Sequence, residues 1–437
     1  MDINLYMQRY RSLIYGVDTL VPIKNGMLVK AINFDNAATT PPLVPVIKEI
    51  VDFAPWYSSV HRGTGYKSKL SSYLFEESRK DVLNFVNGDP EKSVVIYVKN
   101  STEAINMLSY TLCDGVKKCV VLSTSMEHHS NDLPWRERFN IDYIELDCNG
   151  KVSIDDLEYK LKKYNGSVKL VTVAGASNVT GHKNPIHKIA EIAHKYNAQI
   201  CVDGAQLVPH SPINMRPENP DEHIDYIVFS AHKMYAPFGA GVLIGPKKTF
   251  EKGSPAFSGG GTVKIVTHKK VLWDDPPSKE EAGTPNLMGV FALTRAIKTI
   301  NMIGIENIER YEQNLTEYAL EKLKSIPEIK LYGNTQNANE KVGIIPFNIE
   351  GIYNRVVAEI LSDEAGIAVR NGCFCAEPYV QKLLNIGQKE IDKHIKNPTM
   401  PRPGMVRISF GFYNNFEEID TLIQTLTWIC QNKDLYT

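Results

Sequence analysis

The sequence predicts an α/β protein that is built on a mostly parallel sheet and continues into a smaller α+β part. Strand-like apolar runs alternate with helical patterns over about 200 residues, which is typical of βαβ units. Some of these runs, such as residues 168–174, are predominantly apolar and therefore favour strands buried on both faces. Asp203 and Ser230 follow two of the runs, at the strand ends where parallel sheets bind ligands.

A lead-in of residues 1–33 precedes a large domain that we predict over residues 34–290. The segment NFDNAATTPP ends in two prolines, which favour a helix beginning near Val44. The predicted strands of the large domain are residues 93–98, 119–123, 143–146, 168–174, 199–203, 224–229 and 241–244. The predicted helices are residues 71–86, a helix from residue 101, 154–164 and 186–196.

A smaller α+β domain is predicted over residues 291–437, where the pattern of elements changes. It begins with a long helix over residues 289–303 that continues to residue 323. Shorter strands and helices are predicted at residues 341–348, 352–366, 405–410 and 416–430. The polar segment 387–404 contains Pro398, Pro401 and Pro403, and these prolines favour a surface loop.

The composition argues against several classes of protein. The chain has 437 residues and a net charge of −1, which does not suit a nucleic-acid-binding surface. Its first residues lack the continuous apolar stretch of a secretory signal, and no run of about 18 apolar residues predicts a membrane span. Its seven cysteines are odd in number and mostly scattered, which favours reduced thiols and a cytoplasmic location.

The stretch FSAHKMY, residues 229–235, places a lysine directly after a predicted strand. Ser230 and His232 flank Lys233, and a glycine-containing turn follows. An apolar or cation-rich environment lowers the pKa of a lysine amine and makes it a nucleophile for carbonyl groups. We therefore interpret Lys233 as the residue that holds an aldehyde cofactor as a Schiff base, while Ser230 and His232 hold the phosphate of that cofactor.

A carboxylate at the end of another predicted strand fits the same cofactor. Asp203 could pair with a pyridinium nitrogen and keep it protonated, because a nearby opposite charge favours the charged form. A protonated ring withdraws electrons from the α-carbon of a substrate. Gln206 could donate to the phenolic oxygen of the ring. The alternative role for Asp203 is an N-cap at a strand–helix junction.

Two further stretches contain candidate ligands for a cofactor. The helix predicted to begin at Ser101 would offer free backbone N–H groups to a phosphate, although a capping box without a ligand explains the same residues. His128 in the stretch EHHSN could stack on a flat ring and shuttle protons. Its neighbour His129 raises the alternative of a metal site, but adjacent histidines lack the i, i+4 spacing of a helical zinc site, so we predict none.

The stretch RNGCFCAEP, residues 370–378, contains the only closely spaced cysteines. Cys373 and Cys375 lie near Arg370 and a glycine turn, an environment that favours an exposed, low-pKa thiolate nucleophile. A structural metal site is the alternative, but no second C-x-C or nearby histidine pair completes four ligands. Arg407 in the strand-like MVRISF could bind a substrate carboxylate as a fork, or could form an ordinary surface salt bridge.

Together these stretches resemble class V of the fold type I pyridoxal-phosphate enzymes, and most closely the cysteine desulfurases of the SufS type. The resemblance runs in order from about residue 32 to residue 422. It covers NFDNAATTPP, VHRG, STEAIN, MEHHSNDLPW, ASNVTGHKNPI, VDGAQLVPH, FSAHKMYAPFGAGVLIG, EAGTPN, AVRNGCFCAEP and VRISFGFYN. It implies a fold type I transferase with a seven-stranded, mostly parallel sheet in the large domain.

The resemblance also implies a role for each matching residue. Lys233 would form the Schiff base with pyridoxal 5′-phosphate, and His128 would stack on the ring. Asp203 and Gln206 would hold the ring nitrogen and the phenolic oxygen. The residues implied for the phosphate are Ser101, Thr102, Ser230 and His232, with Thr284 reaching the phosphate of a second subunit in a homodimer. The residues implied for the substrate are Asn178, Arg407, His61 and Arg370.

The implied reaction converts L-cysteine to L-alanine, and Cys375 takes the sulfur as a persulfide for transfer to an acceptor protein. The alternatives are another class V reaction (an aminotransferase, a selenocysteine or other C–S lyase, or an epimerase), a noncatalytic sulfur carrier or scaffold, and a zinc protein. Cys375 distinguishes a desulfurase from an aminotransferase or an epimerase, because transamination and epimerisation need no nucleophilic thiol. The chain departs from the family pattern at Cys373 and Phe374, at Glu377, whose charge would raise the pKa of a nearby thiol, and in a longer segment between Pro378 and Arg407.

Overall fold

The computed structural model describes residues 3–113, 119–147 and 150–435. Its strands are β1 (Leu20–Pro22), β2 (Leu28–Lys30), β3 (Ile32–Asn33), β4 (Ser93–Val98), β5 (Val120–Thr124), β6 (Asn140–Ile144), β7 (Val168–Ala174), β8 (Gln199–Asp203), β9 (Tyr226–Ser230), β10 (Gly241–Pro246), β11 (Val263–Val266), β12 (Val271–Trp273), β13 (Ile329–Leu331), β14 (Ile344–Ile349), β15 (Ile367–Ala368), β16 (Arg370–Gly372) and β17 (Met405–Ser409).

The α-helices alternate with these strands through the first two thirds of the chain. They are α1 (Ile3–Gln8), α2 (Val44–Phe53), α3 (Tyr66–Phe85), α4 (Ser101–Leu112), α5 (Leu133–Arg136), α6 (Ile154–Tyr164), α7 (Ile186–Lys195), α8 (Lys247–Phe250), α9 (Leu287–Ile303), α10 (Ile305–Lys324), α11 (Asn354–Ala365), α12 (Glu377–Leu383), α13 (Gln388–Lys396) and α14 (Phe416–Gln431).

Seven strands form the central sheet, in the order β4-β10-β9-β8-β7-β5-β6. The strands β6, β5, β7, β8 and β9 are paired in parallel, whereas β10 is antiparallel to both β9 and β4. The prediction of an α/β fold with a mostly parallel seven-stranded sheet is therefore confirmed. The inner strands β5, β8 and β9 are almost wholly buried, which explains why each has a run of at least three consecutive apolar residues rather than an alternating pattern.

The register of the parallel strands brings their carboxyl ends level. Ala174 at the end of β7 pairs with Asp203 at the end of β8, and Asp203 pairs with Val228 near the end of β9. The loops that follow these strands therefore start from one edge of the sheet. This edge is where ligands bind in open α/β sheets.

The C-terminal part of the chain forms a second sheet of four antiparallel strands, in the order β13-β14-β17-β16. The N-terminal residues pack against this part. Arg11 forms an ion pair with Glu418 at 2.7 Å, and Ile32 in β3 pairs in parallel with Ile367 in β15. The N-terminal residues also pair with the segment before α2, through Ile14 and Leu43, so the predicted assignment of residues 1–33 to the smaller domain and the boundary at residue 290 stay predictions.

Two elements differ from the predicted ones. The long helix expected over residues 289–323 is two helices, α9 and α10, which are bent by 76° at Gly304, a residue with φ of +89°. The segment 387–404 was predicted to be a loop, but its first half is α13, so this prediction is wrong there. The prediction was wrong because it took the prolines as evidence against a helix. Pro398 lies beyond Lys396, the last residue of α13, where proline is common and does not interrupt the helix.

Within the described ranges, no single helix has the length and apolarity needed to cross a membrane. The pair α9 and α10 meets the criterion only when its two bent halves are taken together.

Candidate active site

A cavity of 280 Å³ lies where the carboxyl ends of β7, β8 and β9 meet. The last residues of these strands, Ala174, Asp203 and Ser230, all line it. The parallel register therefore gathers side chains from distant parts of the sequence into one space. The predicted site residues that line this cavity are Ser101, Thr102, His128, Asn178, Asp203, Gln206, Ser230, His232, Lys233, Arg370, Cys375 and Arg407.

Lys233 enters the cavity from a short 3₁₀ turn, Ala231–Lys233, that directly follows β9. Burial lowers the pKa of the Lys233 amine from 10.5 to about 8. The negative charge of Asp203 opposes this shift, the guanidinium of Arg407 adds to it, and Cys375 opposes it. An appreciable fraction of the amine is therefore uncharged near neutral pH, as a nucleophilic lysine requires.

Asp203 is buried at the floor of the cavity, and its Oδ1 accepts a hydrogen bond from the backbone N–H of Ala205 at 3.0 Å. Burial raises the pKa of this carboxyl, and the neighbouring Lys233 lowers it. The alternative of a helix N-cap is wrong, because residues 205–210 form turns rather than a helix. Gln206 donates from Nε2 to the carbonyl of Ala37 at 2.7 Å, and its Oε1 is buried without a partner among the described residues.

Hydroxyl and amide groups cluster at the first turn of α4. The backbone N–H of Ser101 donates to Ser230 Oγ at 2.8 Å, and the hydroxyls of these two residues lie 3.0 Å apart. Asn100 caps the helix by accepting from the N–H of Glu103. The capping role and the phosphate-binding role are therefore compatible, because a helix N-terminus with a cap still presents other N–H groups.

Gly241 allows β10 to approach this helix start closely. A Cβ atom at position 241 would lie 2.6 Å from Cα of Asn100, which no real contact of this kind tolerates. His232 and Thr102 complete the group of polar residues on this side of the cavity. Burial and the adjacent Lys233 lower the pKa of His232 to about 4, so its ring is neutral at physiological pH.

His128 lies at the start of a short 3₁₀ turn and presents its ring to the cavity. Its Nδ1 accepts a hydrogen bond from the backbone N–H of Ser130 at 3.1 Å. Because Nδ1 accepts, the proton of the neutral ring is on Nε2. Burial, and secondarily the positive charge of Lys233, lower the pKa of His128 to about 3, so the ring stays neutral over the physiological range.

Glu127 is a buried residue whose role the sequence interpretation missed. Its carboxylate accepts hydrogen bonds from Thr124 Oγ1, from Asn131 Nδ2 at 2.6 Å and from the N–H of Ala174 at 3.0 Å. These bonds tie the loop that carries His128 to the end of β7. Burial raises the pKa of Glu127 to about 8. The only available signal was an acid inside a turn between apolar segments, next to the histidine pair.

Arg407 is nearly fully buried, so it does not form the surface salt bridge that was its alternative role. It donates from Nη1 to the carbonyl of Asn178 at 2.8 Å and from Nη2 to Asp35 Oδ1 at 3.4 Å. Asp35 also pairs with Arg370 at 2.6 Å, so one carboxylate links both arginines. Sequence reasoning missed Asp35, which lies 372 positions from Arg407. Burial lowers the pKa of Arg407 to about 10, which leaves it cationic at neutral pH.

Cys375 is exposed and lines the cavity opposite the sheet. It and Phe374 both adopt left-handed backbone conformations, with φ of +53° and +55°. Such conformations are strained for residues other than glycine and persist only where the surroundings impose them. Asn178 Nδ2 donates to the carbonyl of Phe374 at 2.7 Å, and the N–H of His129 donates to that of Cys375 at 2.7 Å. The side chain of Asn178 thus holds the cysteine loop.

Cys373 lies outside this cavity. Its Sγ donates to the carbonyl of Pro403 at 3.2 Å, and it lines a separate cavity beside α13. Burial, and secondarily the charge of Glu377, raise the pKa of Cys373 to about 11, so it is a thiol at neutral pH. Glu377 forms an ion pair with Arg402 at 3.0 Å, which reduces the effect of its charge on nearby thiols.

Two predicted site residues do not line the cavity of their own chain. His61 is exposed, and its Nε2 lies 3.8 Å from Glu76 Oε1. Thr284 is exposed in a separate depression that Lys99 and Glu103, beside the start of α4, also line. Their roles therefore stay predictions, and that of Thr284 depends on a second copy of the chain.

Comparison with known proteins identifies the family. The model of the family described as aminotransferase class-V matches residues 32–422. A cysteine desulfurase of Haloferax volcanii is 31% identical over 400 residues, which cover 90% of this chain and 88% of the relative. A cysteine desulfurase of Wigglesworthia glossinidia brevipalpis is 34% identical over 405 residues, covering 90% of this chain and 92% of the relative.

Solved structures agree with the sequence relatives. The apo structure of a cysteine desulfurase from Thermococcus onnurineus NA1 superposes with a TM-score of 0.81 and is 32% identical, covering 92% of this chain and 95% of that one. The order of the motifs in the sequence and the fold of the chain thus both match the cysteine desulfurases. The chain belongs to the aminotransferase class-V family, among the fold type I enzymes that depend on pyridoxal phosphate.

Proposed function

We propose that this protein is a pyridoxal-phosphate-dependent cysteine desulfurase, which converts L-cysteine to L-alanine and retains the sulfur on Cys375 as a persulfide. One observation carries the proposal: an exposed cysteine and a lysine with a lowered pKa line the same cavity. The names of the relatives support the same activity. Transamination or epimerisation would leave the cysteine without a role.

The residues of the cavity fit pyridoxal 5′-phosphate. Arg407 Nε is a buried donor without a hydrogen-bond partner among the described residues, a costly arrangement that a substrate carboxylate would relieve. Gln206 Nε2 already donates to Ala37, so the predicted donation from Gln206 to the phenolic oxygen would require that bond to change. The first turn of α4, with the hydroxyls of Ser101 and Ser230, forms an anion-binding group of the kind a phosphate requires. Thr102 and His232 would complete the phosphate site.

Each remaining residue would then act on a defined part of the reaction. When bound, the cofactor withdraws electrons from the α-carbon of an amino acid. Asp203 would hold the protonated ring nitrogen, and the neutral ring of His128 would pack against the cofactor and offer its Nε2 proton. Lys233 would bind the aldehyde and, once released by the substrate, would take the α-proton with its uncharged amine.

The sulfur step belongs to Cys375. Arg407 and Arg370 would hold the substrate carboxylate, because both guanidinium groups reach the cavity. The Cys375 thiolate would attack the substrate sulfur, so that an S–S bond forms while the bond between sulfur and the β-carbon breaks. The electron pair stays with the substrate carbon, which then gains a proton and leaves as L-alanine.

We also propose that the protein acts as a homodimer and passes its sulfur to an acceptor protein. Thr284 is exposed and does not line the cavity of its own chain, which supports a contact with the site of a second subunit. The dimer is tested by sedimentation of the purified protein, and a monomer that retains full activity would contradict it.

The proposed function is tested by supplying L-cysteine to the cofactor-loaded protein. We expect L-alanine and sulfide in equal amounts when a thiol reductant is present, because the reductant releases the persulfide sulfur. Both products are measured together over time. Formation of a keto acid without sulfide would indicate an aminotransferase, and no product from L-cysteine with turnover of selenocysteine would indicate a selenocysteine lyase.

The pH dependence of cofactor loading follows from the lowered pKa of Lys233. Only the uncharged amine attacks an aldehyde, so the association rate should fall about tenfold per pH unit below pH 8 and level off above it. The measurement is stopped-flow absorbance of the cofactor-free protein mixed with pyridoxal 5′-phosphate. A midpoint near 10.5, the ordinary value for lysine, would contradict the environment that we describe.

A further inference from the structure

Phe374 directly precedes the cysteine that we assign to sulfur acceptance, and the reaction described above gives it no role. It lies two residues after the end of β16, and its buried side chain lines the candidate active-site cavity. It is also a position where the chain departs from the family pattern. Its role must therefore be inferred from its own contacts.

The ring of Phe374 covers one face of the Arg407 guanidinium. The Cζ atom of Arg407 lies 4.8 Å from the centroid of the ring, a distance at which a cation and an aromatic face attract each other. Arg407 is nearly fully buried, and burial strengthens this attraction because little water competes for the charge. The contact joins the cysteine loop, residues 373–376, to the arginine that would hold the substrate carboxylate.

Asn178 joins the same two residues a second time. Its Nδ2 donates to the carbonyl of Phe374 at 2.7 Å, and its own carbonyl accepts from Arg407 Nη1 at 2.8 Å. Phe374, Asn178 and Arg407 thus form a closed ring of contacts. Arg407 belongs to β17, which pairs with β14 on one side and β16 on the other. The arginine is therefore the member of this ring that the sheet holds in place.

The cysteine loop needs such support because its backbone is strained. Phe374 and Cys375 have φ of +55° and +53°, in the left-handed region that residues other than glycine rarely adopt. Two backbone hydrogen bonds also hold the loop: the N–H of His129 donates to the carbonyl of Cys375 at 2.7 Å, and that of Ala376 donates to Cys373 at 2.9 Å. Neither of these two bonds involves Arg407.

We propose that Phe374 is a positioning residue that sets Cys375 relative to the substrate through Arg407, an inference that rests on the proposed desulfurase function. A guanidinium binds a carboxylate along its edge and an aromatic ring on its face. Arg407 can therefore hold both at once, and its Nε is a buried donor without a partner among the described residues. One guanidinium then orients both the substrate and the loop that carries the attacking thiol.

This role determines which step of the reaction depends on Phe374. Removal of the α-proton needs Lys233 and the carboxylate on Arg407, whereas attack on the substrate sulfur also needs Cys375 in position. The carbonyl of Asn178 and the carboxylate of Asp35 still hold the guanidinium when the ring is lost. Loss of the ring should therefore slow persulfide formation and leave removal of the α-proton nearly unchanged.

Phe374→Leu is the diagnostic variant, and Phe374→Tyr is its matched control. Leucine keeps an apolar side chain without an aromatic face, whereas tyrosine keeps the face. In single turnovers of the cofactor-loaded proteins, the Cys375 persulfide should form about tenfold more slowly in Phe374→Leu and within about threefold of the wild-type rate in Phe374→Tyr. In D₂O, all three proteins should exchange the α-hydrogen of L-alanine at similar rates, because this exchange does not need Cys375.

Hydrogen–deuterium exchange of the peptide that contains residues 373–376 is a readout that does not depend on activity. Loss of a contact that holds a strained loop raises the population of its open form. We therefore expect amide exchange about tenfold faster in Phe374→Leu than in the wild type, and close to the wild-type rate in Phe374→Tyr. The spectrum of the bound cofactor and the melting temperature verify that both variants fold.

The outcomes separate this inference from the proposed function. Equal amide exchange in all three proteins, or equally slow persulfide formation in both variants, would overturn the role of Phe374 even if the wild type converts L-cysteine to L-alanine and sulfide. A wild-type chain that forms no sulfide would contradict the proposed function. The amide exchange rates would then still decide whether the ring of Phe374 holds the cysteine loop on Arg407.

Discussion

Replacement of Lys233 by alanine is expected to lower kcat/KM for L-cysteine by about 1,000-fold or more, equivalent to about 4 kcal/mol of activation free energy. The reason is that the variant lacks both the amine that binds the cofactor aldehyde and the base that takes the α-proton. The visible absorbance band of the bound cofactor should also change to that of the free aldehyde. Steady-state assays and absorbance spectra of the purified variant measure the two effects.

Lys233→Arg separates the charge of the side chain from its nucleophilicity. Arginine keeps a positive charge in the cavity beside Asp203 but does not deprotonate at neutral pH. We therefore expect it to be as inactive as the alanine variant and to lack the band of the bound cofactor. Substantial activity in Lys233→Arg would mean that position 233 contributes only charge, and our assignment would then be wrong.

The Cys375→Ala variant is expected to lose at least about 100-fold of the sulfide-forming activity, equivalent to about 2.7 kcal/mol. Here the cofactor should still bind, because Lys233, Asp203 and the start of α4 are unchanged. The spectrum of the bound cofactor therefore distinguishes this variant from Lys233→Ala. Mass spectrometry after a single turnover should show one added sulfur on the wild-type chain and none on the variant.

Cys373→Ser is the matched control for the thiol. Serine can keep the hydrogen bond that Cys373 donates to Pro403, and position 373 does not line the candidate active site. Activity and persulfide formation should stay within about threefold of the wild type, a difference of under 1 kcal/mol. A large loss in Cys373→Ser, with normal activity in Cys375→Ala, would move the sulfur-accepting role to the other cysteine.

Much of the fold could be predicted because its signals are local. The buried strands are predominantly apolar, and β7 was expected with the bounds that the structure gives it. The bend at Gly304 and the helix α13 were missed for a different reason. Whether a glycine or a nearby proline ends a helix depends on packing around it, which a single sequence does not specify.

The candidate site was predictable where a residue follows a strand or begins a helix. Lys233, Asp203 and Ser101 were found this way, because the edge of a parallel sheet collects such positions. Asp35 and Glu127 were not found, since an acid gains its role only from the partners it meets in space.

Most strands and helices, the family and the chemical groups of the site could be predicted from the sequence, because periodicity and motifs are properties of neighbouring residues. The folded arrangement was needed to show that Cys375 lines the cavity with Lys233, whereas Cys373 lines another cavity. It also decided the lowered pKa of Lys233. Both depend on burial and on charges brought together from distant segments, and no local stretch of the chain contains that information.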